Sequence, residues 1–260
     1  MIYHYCKQDV FIKILSTQHI WLSDITKMND PNEYKTGFEI IKELAKEHFA
    51  TNSEILLYFD AQNINYNFKI LAVCFSSKGD MLSQWRAYAC DGQGFSIGFD
   101  EHKLVQHNLF NRYIEKFNPV LSKIHLHKVQ YKKDIFKKEI IKLIDLFNSK
   151  NEIYDYKILA HLMMDVASTY KDEFYECEDE VRGIITIANV NYEYYLIMSR
   201  TTDYGVSEYH SLKTNFYSIS AIGEIIIGPK CNSTIEEVEN ELTKNNINGV
   251  KVIKSSGAYR

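Results

Sequence analysis

Proline is scarce, with three residues in 260, at Pro31, Pro119 and Pro229. No Gly/Ser-rich run and no repeat occurs, so nothing reads as an interdomain linker, and a single domain over 1–260 is expected. Cysteine is also sparse. The five thiols, Cys6, Cys74, Cys90, Cys177 and Cys231, form no CxxC pair. A structural zinc site of the finger type is therefore unsupported, and reduced thiols point to a cytoplasmic setting. There is no excess of positive charge, since the formal net charge is -4. General nucleic-acid binding thus lacks its usual electrostatic source. No apolar stretch has the length needed to span a bilayer. The opening residues Met1-Ile2-Tyr3-His4-Tyr5 show no basic region before an apolar run, so neither a membrane nor a signal peptide is expected.

What is present is ordinary globular composition, 45% hydrophobic and 25% charged, with an excess of aromatics in 19 Tyr and 14 Phe. Phenols have an apolar body and a polar tip, so such an excess suggests pockets and half-wet faces. Apolar alternation and runs predict strands at 2–5, 19–23, 69–77, 95–99, 180–188, 209–220, 222–227 and 250–253. Helical periodicity predicts helices at 8–17, 38–49, 54–61, 81–89, 134–147, 151–174 and 234–244. Strand and helix alternate irregularly. This predicts an α+β fold with a mixed, mostly antiparallel sheet, flanking helices and a helical segment around 134–174.

Some patterns are decoys. Gly92-x-Gly94-x-x-x-Gly98 has the wrong spacing for a dinucleotide loop and precedes a strand, so it reads as a turn with a close-packed strand glycine. His125-x-His127 places two imidazoles on one strand face. No nearby Asp, Glu or Cys completes a ligand set and the segment reads as surface, so no metal is expected. Cys74, inside an apolar strand, reads as an inert core thiol.

Four polar clusters remain at strand ends and loops, where sites are commonly built. They are His4 with Tyr5; Asn29-Asp30-Pro31 with Glu33; Ser76-Ser77 followed by Trp85 and Tyr88; and Glu178-x-Glu180-x-Arg182. Trp85 and Tyr88 are three apart and share a helix face, where they could stack on a flat ring. Glu178, Glu180 and Arg182 read as alternate residues on one strand face, a pair of carboxylates with a guanidinium to hold one of them. Taken singly, each has a plainer reading. Asp30-Pro31 is a turn, Trp85 and Tyr88 are core aromatics, and the Glu/Arg run is a solvated ion-pair face.

In order along the chain, Tyr3-His4-Tyr5, Asn29-Asp30-Pro31-x-Glu33, Cys74-Phe75-Ser76, Trp85-x-x-Tyr88, Gly94-x-x-Ile97-Gly98-Phe99, Glu178-x-Glu180-x-Arg182, Ile225-x-Ile227-Gly228 and the closing Lys254-Ser255 with Tyr259-Arg260 resemble the bacterial domain of unknown function 2971 family. That family tends to carry a Trp before the double-Glu motif, where Phe174 and Tyr175 stand here. A second resemblance is to ADP-ribosyltransferase-like folds, which place an early-strand His or Arg, a middle Ser or Tyr and a late Glu. His4, Ser76 or Tyr88, and Glu180 fall in that order.

This second resemblance implies an NAD-dependent ADP-ribosyltransferase-like (glycosyltransferase) or NAD-cleaving enzyme, of the kind used in toxins and phage defence. NAD would be its substrate, and no metal would be required. His4 and Tyr5 would meet the adenosine side, and Ser76 would fix the second ribose or support the late Glu. Trp85 or Tyr88 would stack on nicotinamide. Glu180 would accept from the ribose 2′-hydroxyl, Glu178 would orient the acceptor, and Arg182 would hold a carboxylate or phosphate. Asn29, Asp30 and Glu33 would brace a loop over the cleft. Two other readings stand beside this one. The first is a non-catalytic nucleotide-sensing or protein-binding module of a defence system, whose partner would be a nucleotide-like small molecule or a protein. The second is a metal-dependent nuclease or nucleotide hydrolase using Asp30, Glu33, Glu178 and Glu180.

Overall fold

The run Lys69-Ile70-Leu71-Ala72-Val73-Cys74-Phe75 is almost unbroken in apolar character, and a pleated strand sends such side chains to both faces. In the structure, a computed structural model, it does so. Leu71, Val73 and Phe75 enter one core, while Ile70 and Ala72 enter another. The structure describes residues 1–28, 33–50, 53–59, 68–108, 124–149, 156–188, 197–202, 205–217 and 219–258.

The strands are β1 (Ile2–Cys6), β2 (His19–Asp24), β3 (Phe68–Ser76), β4 (Phe95–Phe99), β5 (His125–Lys128), β6 (Glu180–Ala188), β7 (Met198–Thr202), β8 (Gly205–Lys213), β9 (Asn215–Phe216), β10 (Ile219–Ser220), β11 (Ile222–Ile227) and β12 (Lys251–Lys254). The helices are α1 (Gln8–Thr17), α2 (Glu33–His48), α3 (Ile55–Tyr58), α4 (Leu82–Tyr88), α5 (Glu101–His107), α6 (Lys133–Ser149), α7 (Tyr156–Ala167) and α8 (Ile235–Lys244). The main sheet runs β12-β11-β4-β1-β3-β2-β8-β7, with β6 also paired to β3, and β5 to β6. Every pairing in it is antiparallel except β11 with β12. The fold is α+β with a mixed, mostly antiparallel sheet, as predicted. Among the described residues no helix is long and apolar enough to cross a membrane.

One face of the sheet is covered by Phe11, Ile14 and Leu15 of α1, Leu104 of α5, and Val238 and Leu242 of α8. α8 is set by a capping box between Thr234 and Glu237. The other face carries Ile40, Ile41 and Leu44 of α2, Phe136, Ile140 and Ile144 of α6, and Met163 and Ala167 of α7. A third, small cluster packs Trp85 of α4 on Tyr5 and Ile226. The decoy glycines behave as expected. A Cβ on Gly94 would lie 2.1 Å from the Cys6 carbonyl oxygen, so the turn needs glycine for close approach.

Two long expectations break. The predicted helix 151–174 ends at Ala167, where the Ser168 and Thr169 hydroxyls donate back to the Met164 and Val166 carbonyls. A 3-10 turn, Glu173–Glu178, follows. The predicted strand 209–220 stops at Lys213, because the Thr214 N–H turns to the Gln18 carbonyl, 2.9 Å away.

The sheet's most consequential feature is a split beside β3. One edge of β3 pairs with β6 from Phe68 to Ser76. The opposite edge pairs with β2 at Leu71 and Ala72, and with β1 at Ser76. β1 and β2 therefore diverge from the same edge of β3, and Val73, Cys74 and Phe75 lie between the two contacts. Backbone groups left at such an edge need other partners. The His4 ring supplies one, with Nδ1 3.0 Å from the Cys74 carbonyl oxygen.

Candidate functional site

A cavity of about 530 Å³ opens at this split, lined by His4 and Tyr5 of β1, Lys13 of α1, Trp21 of β2, Cys74 of β3, Tyr88 of α4, and Lys171, Glu178, Glu180, Arg182 and Arg200. Six of the residues singled out from sequence thus converge: His4, Tyr5, Tyr88, Glu178, Glu180 and Arg182. Ser76 and Trp85 are not among the lining residues. Asn29 and Asp30 lie outside the described residues. Glu33 begins α2, and its side chain lies outside what is described.

The late acidic motif is not one strand face. Glu178 ends the 3-10 turn, Asp179 is left-handed (φ 44), and β6 starts at Glu180. This kink is held from below. The Ser76 hydroxyl and the Gln84 amide donate to the Glu178 carbonyl at 3.0 and 3.1 Å, and the Ser77 N–H donates to the Asp179 carbonyl at 2.9 Å. The Ser77 hydroxyl also bonds the Asp179 carboxylate. Of the two roles foreseen for Ser76, support of the glutamates is the one its geometry allows, since it is buried beneath their backbone.

Both carboxylates meet Lys171, whose ammonium is 2.5 Å from Glu178 Oε2 and 3.1 Å from Glu180 Oε2. Arg182 grips Glu180 with two bonds, Nε to Oε1 at 2.7 Å and Nη2 to Oε2 at 3.1 Å, and donates through Nη1 to the Ser168 carbonyl at 2.6 Å. The Cys74 thiol also donates to Glu180 and Cys74 lines the cavity, so it is not confined to the core as its apolar strand suggested. Burial opposes ionisation of Glu180, but the Arg182 guanidinium and the Lys171 ammonium outweigh it and hold the carboxyl down to about 2. Glu178 is less crowded, with Tyr88 donating to Oε1 at 2.8 Å. Burial, followed by the Glu178 charge, raises the Tyr88 phenol far above its usual value, so it stays a donor. Burial likewise lowers the His4 pKa, keeping the ring neutral.

Trp85 corrects an expectation. Its ring is buried edge-to-face on Tyr5, at 4.8 Å between centroids and 78°, and its indole N–H donates to Asp80 at 2.7 Å. Asp80 also anchors Ser255 and Ser256 of the closing segment. Trp85 is thus a strut, and Tyr88, one turn on, is the aromatic that reaches the cavity.

Sequence reasoning passed over further lining residues, among them Lys13, Lys171, Trp21 and Arg200. Lys171 stood inside what read as a helix end, although Ser168-Thr169 is a stop signal in hindsight. Trp21 and Arg200 form the far end of the cavity. The Arg200 guanidinium lies 5.2 Å over the Trp21 ring and donates to the Ser23 hydroxyl at 2.9 Å, while Tyr209 packs 4.3 Å from Trp21. No motif marks Arg200, because β7 (Met-Ser-Arg-Thr-Thr) has no apolar alternation. Away from the cavity, the expectation that nothing completes a ligand set with His125 and His127 also fails. Asp165 of α7 reaches them, with Oδ2 2.6 Å from His125 Nδ1.

Residues 84–183 match the family model described as a protein of unknown function (DUF2971), which bears out that resemblance over this stretch. No curated protein and no solved structure matches the chain.

Proposed function

We propose that the cavity binds a dinucleotide of the NAD class and cleaves its nicotinamide–ribose bond, as an ADP-ribosyltransferase-like or NAD-cleaving enzyme. The supporting observation is convergence: His4, Tyr5, Tyr88, Glu178, Glu180 and Arg182 share one cavity of about 530 Å³. That size and its mixed polar and aromatic wall suit a nucleotide-like ligand. Lys13 and Arg200 supply positive charge for a pyrophosphate, and Trp21 offers a flat surface for a base.

The roles divide by what each group has left to give. His4 uses Nδ1–H on the Cys74 carbonyl, so its neutral ring has Nε2 as an acceptor for a ribose hydroxyl. Glu180 is committed to Arg182, Lys171 and Cys74. It is therefore the anchor of the network rather than the acceptor the family-like order suggested. Each Glu178 oxygen holds one donor, Tyr88 or Lys171, and a carboxylate oxygen has a second lone pair. Glu178 is then the group placed to accept from a ribose 2′-hydroxyl. As the ribose–nitrogen bond breaks, its electron pair leaves with nicotinamide and positive charge grows on the anomeric carbon. A fixed carboxylate lowers the energy of that state. Water or another acceptor then adds to that carbon and gives up its proton.

The test is nicotinamide release from NAD by the full chain. Glu178→Gln should lower it about 10²–10³-fold, the usual cost of removing one preorganised electrostatic group, with the fold intact. A chain that neither binds NAD at millimolar concentration nor releases nicotinamide ends this reading.

One observation favours a non-catalytic alternative. Two carboxylates already face two cations, which leaves no net charge at this end of the cavity to drive chemistry. A nucleotide sensor of a defence system would bind NAD or a related nucleotide with no nicotinamide released. The same balance weakens a metal-dependent hydrolase at Glu178 and Glu180, where an entering cation would meet Lys171 and Arg182.

A further inference from the structure

We propose that His125, His127 and Asp165 form a binding site for a first-row divalent transition-metal ion, zinc-like in its preference for imidazole. The site is separate from the cavity and does not rest on the dinucleotide reading.

Its construction follows from register. His125 pairs with Ile184 and His127 with Arg182 across β5 and β6, and directly paired residues share a sheet face. Ile184 belongs to the core under α2, α6 and α7, so both imidazoles face the helical layer. Asp165 of α7 descends onto them and is itself buried. One ligand atom from each of the three lies within 4.8 Å of the others. Two imidazoles and a carboxylate are a borderline-soft set that favours zinc, cobalt, nickel or iron over magnesium or calcium. Three protein ligands leave a fourth position for water.

The second observation is an unmet demand. His127 Nε2 and Asp165 Oδ1 are both buried with no hydrogen-bond partner among the described residues. Buried polar atoms are nearly always satisfied, and an orphan needs an explanation. A cation coordinated here would satisfy both. It would take the place of the proton between His125 Nδ1 and Asp165 Oδ2, and the displaced proton would move to the other ring nitrogen or to solvent. A bound ion would tie β5 to α7 and so brace β6, the strand that carries Glu180 and Arg182.

The experiment uses the full chain freed of metal with a chelator and titrated with Co²⁺ alone, then competed with Zn²⁺. The expected result is one saturable cobalt complex per chain with visible d–d bands, displaced by zinc, and a higher melting temperature with zinc. His127→Ala and Asp165→Asn should each weaken binding more than about 100-fold, since even outer partners of metal ligands cost ~10–100-fold. Cys90→Ser and Cys177→Ser, both at exposed thiols, should leave it unchanged. If a variant does not fold, the ring proton resonances of His125 and His127 in the unaltered chain decide, and both should shift on adding zinc. No cobalt complex, a complex that survives both substitutions, or unmoved His125 and His127 resonances would overturn the proposal.

Discussion

Two buried polar clusters flank β6, and they differ in how far their hydrogen-bonding capacity is met. In the first, Glu180 takes three cationic bonds and a thiol, and Arg182 adds the Ser168 carbonyl. In the second, His127 Nε2 and Asp165 Oδ1 have no partner among the described residues. Both clusters are largely shielded from water, so low dielectric raises the stakes for each. A saturated network is rigid and already in its working shape, whereas an unsaturated one is incomplete until a ligand enters. The contrast suits the saturated cluster to a scaffold and the unsaturated one to the proposed metal site, and on the proposed dinucleotide reading it leaves Glu178 rather than Glu180 to meet the ligand.

The sharpest way to break this contrast is to disarm the saturated side. Glu180→Gln leaves the Arg182 and Lys171 charges buried with half their compensation. It should cost about 3–5 kcal/mol, the usual cost of orphaning a buried charge, measured by urea unfolding at neutral pH. A cost below about 1 kcal/mol would mean the network is not the scaffold described. Acid should reach the same bond reversibly. The folded carboxyl is held down to about 2, against about 4.3 in an unfolded chain. Its stabilisation is therefore complete above the unfolded value and is lost as pH falls from there through the folded one. The acid limb of stability against pH should be flatter in Glu180→Gln than in the parent.

How much of this was legible depends on whether a feature is local. β3, β4 and β11 were readable because runs such as Ile225-Ile226-Ile227 bury on both faces. β7 (Met-Ser-Arg-Thr-Thr) was not, because a short polar strand is a strand only by virtue of the neighbour it pairs with, and β5 (His-Leu-His-Lys) showed only as a face for two imidazoles. The cavity's acidic and aromatic members were legible as motifs. Lys171 was hidden by an overlong helix, and Asp165 by its 40-residue separation from His125. Helical spacing put Trp85 and Tyr88 on one face. It said nothing of Asp80, five residues before Trp85, whose carboxylate captures the indole.

That last pair supplies the finest test. Trp85→Phe loses the bond to Asp80 and part of the packing on Tyr5, and should cost about 1–2 kcal/mol. Ligand affinity should stay the same, because the ring does not line the cavity. Tyr88→Phe removes only a hydroxyl that donates to Glu178 and should cost no more than about 1 kcal/mol. Yet it should alter nucleotide binding or nicotinamide release, since Glu178 loses the donor that fixes its Oε1. Stability and binding would then rank the two residues in opposite orders. If Trp85→Phe weakened binding while Tyr88→Phe did not, the strut and the contact would have been assigned the wrong way round, and the cavity would extend beneath α4.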